Sequence, residues 1–233
     1  MDRRSDLPFE LEAFGRSRMG AALQFLPPAS GRCATLLIAG VHGEEPETTV
    51  ILSRSLRCLR SAPATTACVL AVNPDGLLLG TRGNAAGVDL NRNFPASDWQ
   101  PDPVGYRWHV DEPEAEPIAI HTGSEPASEP ESRALLGLIE RLRPERVISL
   151  HAPLACIDDP DDSAAGRWLA KTTGLPLVTE IGYPTPGSMG TWAGERGLPW
   201  ITWEFPKRSM EELSPDYVPL LVEMLTGEEF ASL

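Results

Sequence analysis

Nowhere does this chain hold an apolar run of the roughly 20 residues that a bilayer span needs, and its charged start, Met1-Asp-Arg-Arg-Ser-Asp, leads into no signal-peptide core. A cytoplasmic protein without a membrane partner is expected. Cysteine is sparse as well. Cys33, Cys58, Cys68 and Cys156 are scattered without a Cys-x-x-Cys pair, which argues against both a disulfide framework and a cysteine-ligated zinc. They read as reduced core residues. Clustered Lys and Arg are missing, the formal net charge is −13, and binding a phosphate backbone depends on such clusters. Nucleic acid is therefore no expected partner, and the acidity reads as a solubility feature. No repeat, low-complexity tract or linker divides the chain, so residues 1–233 read as a single domain, long enough to bury a core unaided.

What is present is a series of short apolar or β-branched runs: Ala34 to Ala39, Ala67 to Val72, Val147 to Leu150, Leu177 to Ile181 and Trp200 to Phe205. Runs of this length are the pattern of strands buried on both faces. Helical patterns lie between several of them. Ser128 and Glu131 read as a capping box ahead of Leu135, Leu138, Ile139 and Leu142, with Pro144 as the stop. Further helices are expected from near Pro46 to Arg60, from Ser163 to Gly174, and through Leu220 to Leu225, where Pro219 obscures the start. The stretch from Ala96 to Ala127 reads as surface loop with one short element around Val104 to Val110. The expected class is α/β, a mixed, largely parallel central sheet with helices on both faces, which binds ligands beyond the carboxyl ends of its strands.

His42 and Glu45 form a His-x-x-Glu pair directly after the first of these runs, and His151 follows the third. Imidazole and carboxylate are zinc ligands, and a catalytic zinc site uses three protein ligands with a fourth position open. Taken alone, His-x-x-Glu is a weak signal, because a lone histidine more often satisfies a local hydrogen bond. A histidine at a second strand exit strengthens it. Glu204 closes an otherwise apolar strand, and a carboxylate in such surroundings has a raised proton affinity suited to a general base. Asn73, Asp89 and Asn93 are Asx residues of the kind that orient turns and back up other side chains.

Asn73-Pro-Asp-Gly76, Thr81-Arg-Gly-Asn84 and Gly87-Val-Asp-Leu-Asn-Arg-Asn-Phe-Pro95 lie between the first pair and His151. In that order, closed by the late Thr-Trp-Glu-Phe-Pro of residues 202–206, the blocks resemble the zinc carboxypeptidases, the M14 metallopeptidases, over residues 40–206. Within the family the chain is most similar to the short murein peptide amidases. The resemblance implies one zinc per chain on His42, Glu45 and His151, Glu204 as catalytic base, and Arg82 as the guanidinium that stabilises the oxyanion. It also implies Asn91 and Arg92 as the grip on a substrate carboxylate, and Tyr183 as a substrate-capping side chain. Cys156, Asp158 and Asp159 then shape the substrate pocket; read without the resemblance, they form an ordinary acidic loop. Where that subfamily usually has Asp after the zinc histidine, this chain has Ala152.

The implied reaction is hydrolysis of the bond between γ-D-glutamate and meso-diaminopimelate in murein tripeptide, a small peptide substrate recycled in the cytoplasm. A related zinc carboxypeptidase, an N-acyl amino acid deacylase of the aspartoacylase or succinylglutamate-desuccinylase type, and a non-catalytic peptide-binding sensor are the alternatives. The deacylases usually lack the complete block from Asn73 to Pro95, and a silent sensor is expected to have lost Glu204 or a ligand. A homodimer is left open.

Overall fold

The computed structural model describes residues 9–101, 104–106 and 118–233. Its strands are β1 (Glu12–Arg16), β2 (Ala22–Leu26), β3 (Thr35–Ile38), β4 (Thr66–Val69), β5 (Val104–Tyr106), β6 (Ile118–Ile120), β7 (Arg146–His151), β8 (Leu154–Asp158), β9 (Leu177–Val178) and β10 (Trp200–Pro206). The helices are α1 (Pro46–Cys58), α2 (Pro74–Leu79), α3 (Pro130–Leu142), α4 (Ala164–Thr173), α5 (Met189–Gly194), α6 (Met210–Thr226) and α7 (Glu228–Ala231), with a single 3-10 turn at Leu90–Arg92. Eight strands form one sheet in the order β1-β2-β4-β3-β7-β10-β8-β9, while β5 and β6 pair apart from it. The four central strands β4, β3, β7 and β10 run parallel, β8 joins β10 antiparallel, and the β1–β2 hairpin extends the other edge. The expected mixed, largely parallel sheet is present.

Both faces of the sheet are covered. One apolar cluster joins Leu37, Ile148, Leu150, Ile201 and Trp203 to Ile51 and Leu52 of α1, Trp168 of α4 and Leu221 of α6. The other joins Leu36, Ile38 and Val147 to Leu135 and Leu138 of α3 and to Met189 and Trp192 of α5. Successive residues of the central strands alternate between these clusters, which is why those strands read as continuous apolar runs. Each buried leucine of this kind is worth about 2–5 kcal/mol against alanine.

Several sequence expectations are corrected. Ser128 and Glu131 do not form a capping box: α3 is capped at Glu129 without a side-chain hydrogen bond. The hydroxyl of Ser128 instead accepts from Asn93, and Glu131 accepts from the Arg18 backbone and from Asn84. The true capping box lies at Ser209 and Glu212 and starts α6 ten residues before Leu220. That helix runs through Pro215 and Pro219, both of which lack the N–H that an interior position donates, so the sequence hides its length. The run from Leu177 to Ile181 pairs only at Leu177 and Val178, because β9 is an edge strand beside the short β8. Of the element expected around Val104 to Val110, Val104–Tyr106 is strand and the remainder lies outside the described residues. All four cysteines are free, but Cys58, on the last turn of α1, is exposed rather than in the core.

The chain leaves β3 through Gly40, which has a φ of 62°, and α1 begins at Pro46. Between them Gly43 lies against the backbone of Gly76 in α2 so closely that an added Cβ would sit 1.9 Å from the Gly76 carbonyl carbon. No rotamer relieves a clash with backbone, so Gly43→Ala is predicted to force the two loops apart. We expect a loss of about 1–3 kcal/mol in denaturant unfolding together with weakened metal binding; wild-type stability would show that the contact is not required.

Candidate active site

Three strand ends and one long loop supply the site. His42 and Glu45 occupy the turn from β3 into α1, His151 ends β7, and Glu204 lies directly beside it on β10. Because paired residues of neighbouring strands project to one face, the β10–β8 register adds Cys156 beside Glu204 and Asp158 beside Thr202. The site therefore spreads over one face of β7, β10 and β8.

His42, Glu45 and His151 are buried and bring three ligand atoms within 4.8 Å of one another. The Nδ1 atom of His42 is 2.7 Å from one oxygen of Glu45, and the Nδ1 atom of His151 is 3.2 Å from the other. The two Nδ1 atoms are themselves 3.2 Å apart. Each ring is held from behind: Nε2 of His42 meets Asp89 at 3.1 Å, and Nε2 of His151 meets the Ser149 hydroxyl at 2.9 Å. Both rings thus present the same nitrogen to one point, the donor set and backing that zinc requires. Ser149 escaped the sequence reading although the two-residue period of a strand places it on the His151 face. Ala152 turns its side chain into the apolar cluster, and its backbone N–H donates to Glu45.

Arg82 lies along the edge of this triad. Its Nε donates to Asp89 at 2.9 Å, and one terminal nitrogen lies 3.2 Å from Glu44 and 3.6 Å from Glu45. Glu44, also missed in the sequence reading, thereby helps to aim the guanidinium. Asp89 joins three parts of the site: it accepts from Arg82, from the Asn91 backbone and from His42. Asn73 accepts from Gly76 N–H and donates to the carbonyls of Val41 and Arg82, while Asn93 donates to Thr122 and Ser128. These three Asx residues orient backbone and neighbouring side chains.

Arg92 is buried, donates to the Asn91 carbonyl, and has an Nε without a partner among the described residues. Asn91 accepts from Met189 N–H through its side-chain oxygen, fixing which end of the amide remains for a ligand. Tyr183 is 52% exposed, yet its phenol is close enough to feel the charges of Glu204, Arg92 and Arg82. Asp159 is not brought to the site. It is fully buried, and its carboxylate accepts from Ser163 N–H and hydroxyl and from Asp161 N–H ahead of α4. Cys156, by contrast, pairs with Glu204, and burial, with the charges of Glu204 and Asp158 adding to it, pushes its thiol up to about 11. Of the histidines outside the triad, His121 is exposed in a bridge to Val88, and His109 lies outside the described residues.

Burial pushes the Glu204 carboxyl up to about 8, with the nearby Glu45 adding to the effect and the Leu154 N–H opposing it. A cation in the triad acts in the opposite direction. His42 is driven down by burial and by Arg82, but the carboxylates of Glu45 and Asp89 outweigh both and raise it to about 9. His42 therefore carries a proton at neutral pH until a metal displaces it.

The family pattern of peptidase M14, described as zinc carboxypeptidase, matches residues 13–157. Murein peptide amidase A of Escherichia coli K12 is 47% identical over 95% of this chain and 92% of its own length. The enzyme of the same name from Vibrio campbellii is 40% identical over 91% and 86%, respectively. The crystal structure of a murein-tripeptide amidase from Escherichia coli O157 superposes with a TM-score of 0.91 at 46% identity, covering 96% of this chain and 94% of that one.

Zinc titrations are predicted to show His42→Ala and His151→Ala without binding, and Ser149→Ala weakened by about tenfold or more. Unchanged stoichiometry in either histidine variant would overturn the ligand set. Because binding must release the His42 proton, apparent affinity should rise by about tenfold per pH unit from neutrality up to the His42 value of about 9. A pH-independent affinity over that range would contradict a protonated His42.

Proposed function

The chain belongs to the zinc carboxypeptidase family, and on that premise we propose that it is a zinc-dependent amidase of murein tripeptide, hydrolysing the bond between γ-D-glutamate and meso-diaminopimelate. The observation that carries this reading is the set of buried donors His42, Glu45 and His151 with Glu204 at the adjacent strand end, in a chain nearly half identical to such amidases over almost its whole length. One zinc per chain is expected, since the described residues hold one such donor set.

Zinc held there supplies Lewis acidity and a water acidified toward neutral pH. Glu204 takes the proton of the attacking water and delivers it to the leaving nitrogen. Its raised proton affinity suits both halves of that transfer, because the base must hold the proton before giving it up. Arg82, braced by Asp89 and Glu44, presents a guanidinium whose orientation is set before charge develops on the former carbonyl oxygen. Arg92, whose Nε has no partner among the described residues, and the amide nitrogen of Asn91 hold the carboxylate beside the scissile amide. Tyr183 at the rim closes over the bound peptide.

The complete block from Asn73 to Pro95 supports this reading over the deacylases, and the retention of Glu204 and all three donors supports it over a silent sensor. No helix among the described residues is long and apolar enough to cross a membrane. We place the reaction in the cytoplasm, where tripeptide is recycled.

Incubating the zinc-loaded protein with L-Ala-γ-D-Glu-meso-diaminopimelate should release diaminopimelate, detected by mass spectrometry. Glu204→Gln should keep its zinc and lose at least about a hundredfold in kcat. Arg82→Ala is expected to lower kcat, whereas Arg92→Ala should act mainly through KM, because its partner carboxylate is charged before and during the reaction. Preference for an ordinary α-linked carboxy-terminal residue would leave a general carboxypeptidase instead.

A further inference from the structure

Asp158, in the stretch that the resemblance assigns to the substrate pocket, is a carboxylate without an assigned role on the face of Glu204. It pairs with Thr202 in the β8–β10 register, two residues along from the pairing of Cys156 with Glu204, so its side chain leaves the sheet on the same side as the proposed base. Two strand residues correspond to about 6.6 Å. The side chain is partly buried, and among the described residues no hydrogen bond or ion pair reaches it. Neighbouring acids do not share this condition: Asp159 is consumed by Ser163 and Asp161, and Glu204 accepts from Leu154. Burial, with the adjacent Asp159 charge, pushes Asp158 up to about 6, as expected of a carboxylate with no cation beside it. A partly desolvated carboxylate without a partner is a place for a cation from outside the chain.

We propose that Asp158 is the acceptor for a primary ammonium at the far end of the leaving residue's side chain, and so sets the pocket's preference for substrates that carry one. The inference rests on the amidase reading and adds a residue to it. The lengths agree: from the Cα atom of the leaving residue, a four-carbon stem places its terminal ammonium about 6 Å away, close to the spacing along the sheet from Glu204 to Asp158. Diaminopimelate carries such an ammonium, whereas the analogue without its distal amino group keeps both carboxylates and the same stem. Asp158 is not one of the candidate zinc ligands and stands two strand residues along from the level of Glu204, so its contribution belongs to discrimination between substrates.

The test compares kcat/KM of the zinc-loaded protein for the tripeptide and for the analogue lacking the distal amino group. The wild-type protein should favour the tripeptide by about ten- to hundredfold, the scale of a charged hydrogen bond left unmade in a pocket. In Asp158→Asn that ratio should fall close to one, and Asp158→Glu should restore part of it. Bound zinc in each variant checks the fold, and the ratio within one protein cancels differences in active fraction. Equilibrium binding of the tripeptide in a Glu204→Gln background should weaken on adding Asp158→Asn, while binding of the analogue should not. A wild-type preference that survives in Asp158→Asn would overturn the assignment and leave the amidase reading standing. Failure of the wild-type protein to cleave either peptide would overturn both.

Discussion

Everything at the site depends on holding five ionisable side chains, His42, Glu45, Asp89, Arg82 and His151, in a space that water scarcely enters. Moving each charge out of water costs several kcal/mol, so the cluster persists only because each member meets a partner of opposite charge or a hydrogen-bond donor. Asp89 is the hinge of that balance. It accepts from the imidazole of His42, from the guanidinium of Arg82 proposed to stabilise the oxyanion, and from the turn that carries Asn91 and Arg92. One carboxylate therefore aligns a candidate metal ligand with the side chains proposed for oxyanion stabilisation and substrate grip, and although burial opposes its ionisation, the charges of Arg82 and His42 outweigh that and hold it well below the usual carboxylate range.

The sheet supplies the second constraint. Parallel pairing of β10 with β7 fixes Glu204 beside His151, and antiparallel pairing with β8 fixes Cys156 and Asp158 farther along the same face. The spacing of His151, Glu204, Cys156 and Asp158 follows from backbone register, which packed apolar clusters on both faces prevent from slipping. A one-residue slip would send Glu204 into the opposite cluster. The catalytic geometry is thus as stable as the core.

Much of this was legible in the sequence because the blocks with the chemistry are contiguous: His42 with Glu45, and Asn73 through Pro95. The central strands were legible because burial on both faces makes them uniformly apolar. What stayed hidden has physical reasons. β1 is a largely exposed edge strand with Glu, Gly and Arg among its five residues, and α6 carries two prolines inside its span. Asp159 stands in the stretch that the resemblance assigns to the pocket, yet its contacts with Ser163 and Asp161 reveal a turn-forming role. Ser149 is ordinary in sequence and becomes informative only through register, which also sets Asp158 apart from Asp159. Glu44 stands inside the first motif, but its partner Arg82 lies 38 residues away.

The most direct test of the central claim is anomalous diffraction at the zinc edge from crystals of the zinc-loaded protein. We expect a single strong peak bonded to Nδ1 of His42, Nδ1 of His151 and the carboxylate of Glu45, with metal–nitrogen distances of about 2.0–2.1 Å, and with Asp89 and Ser149 still on the opposite ring nitrogens. A peak elsewhere, or ligation through either Nε2 atom, would contradict the account.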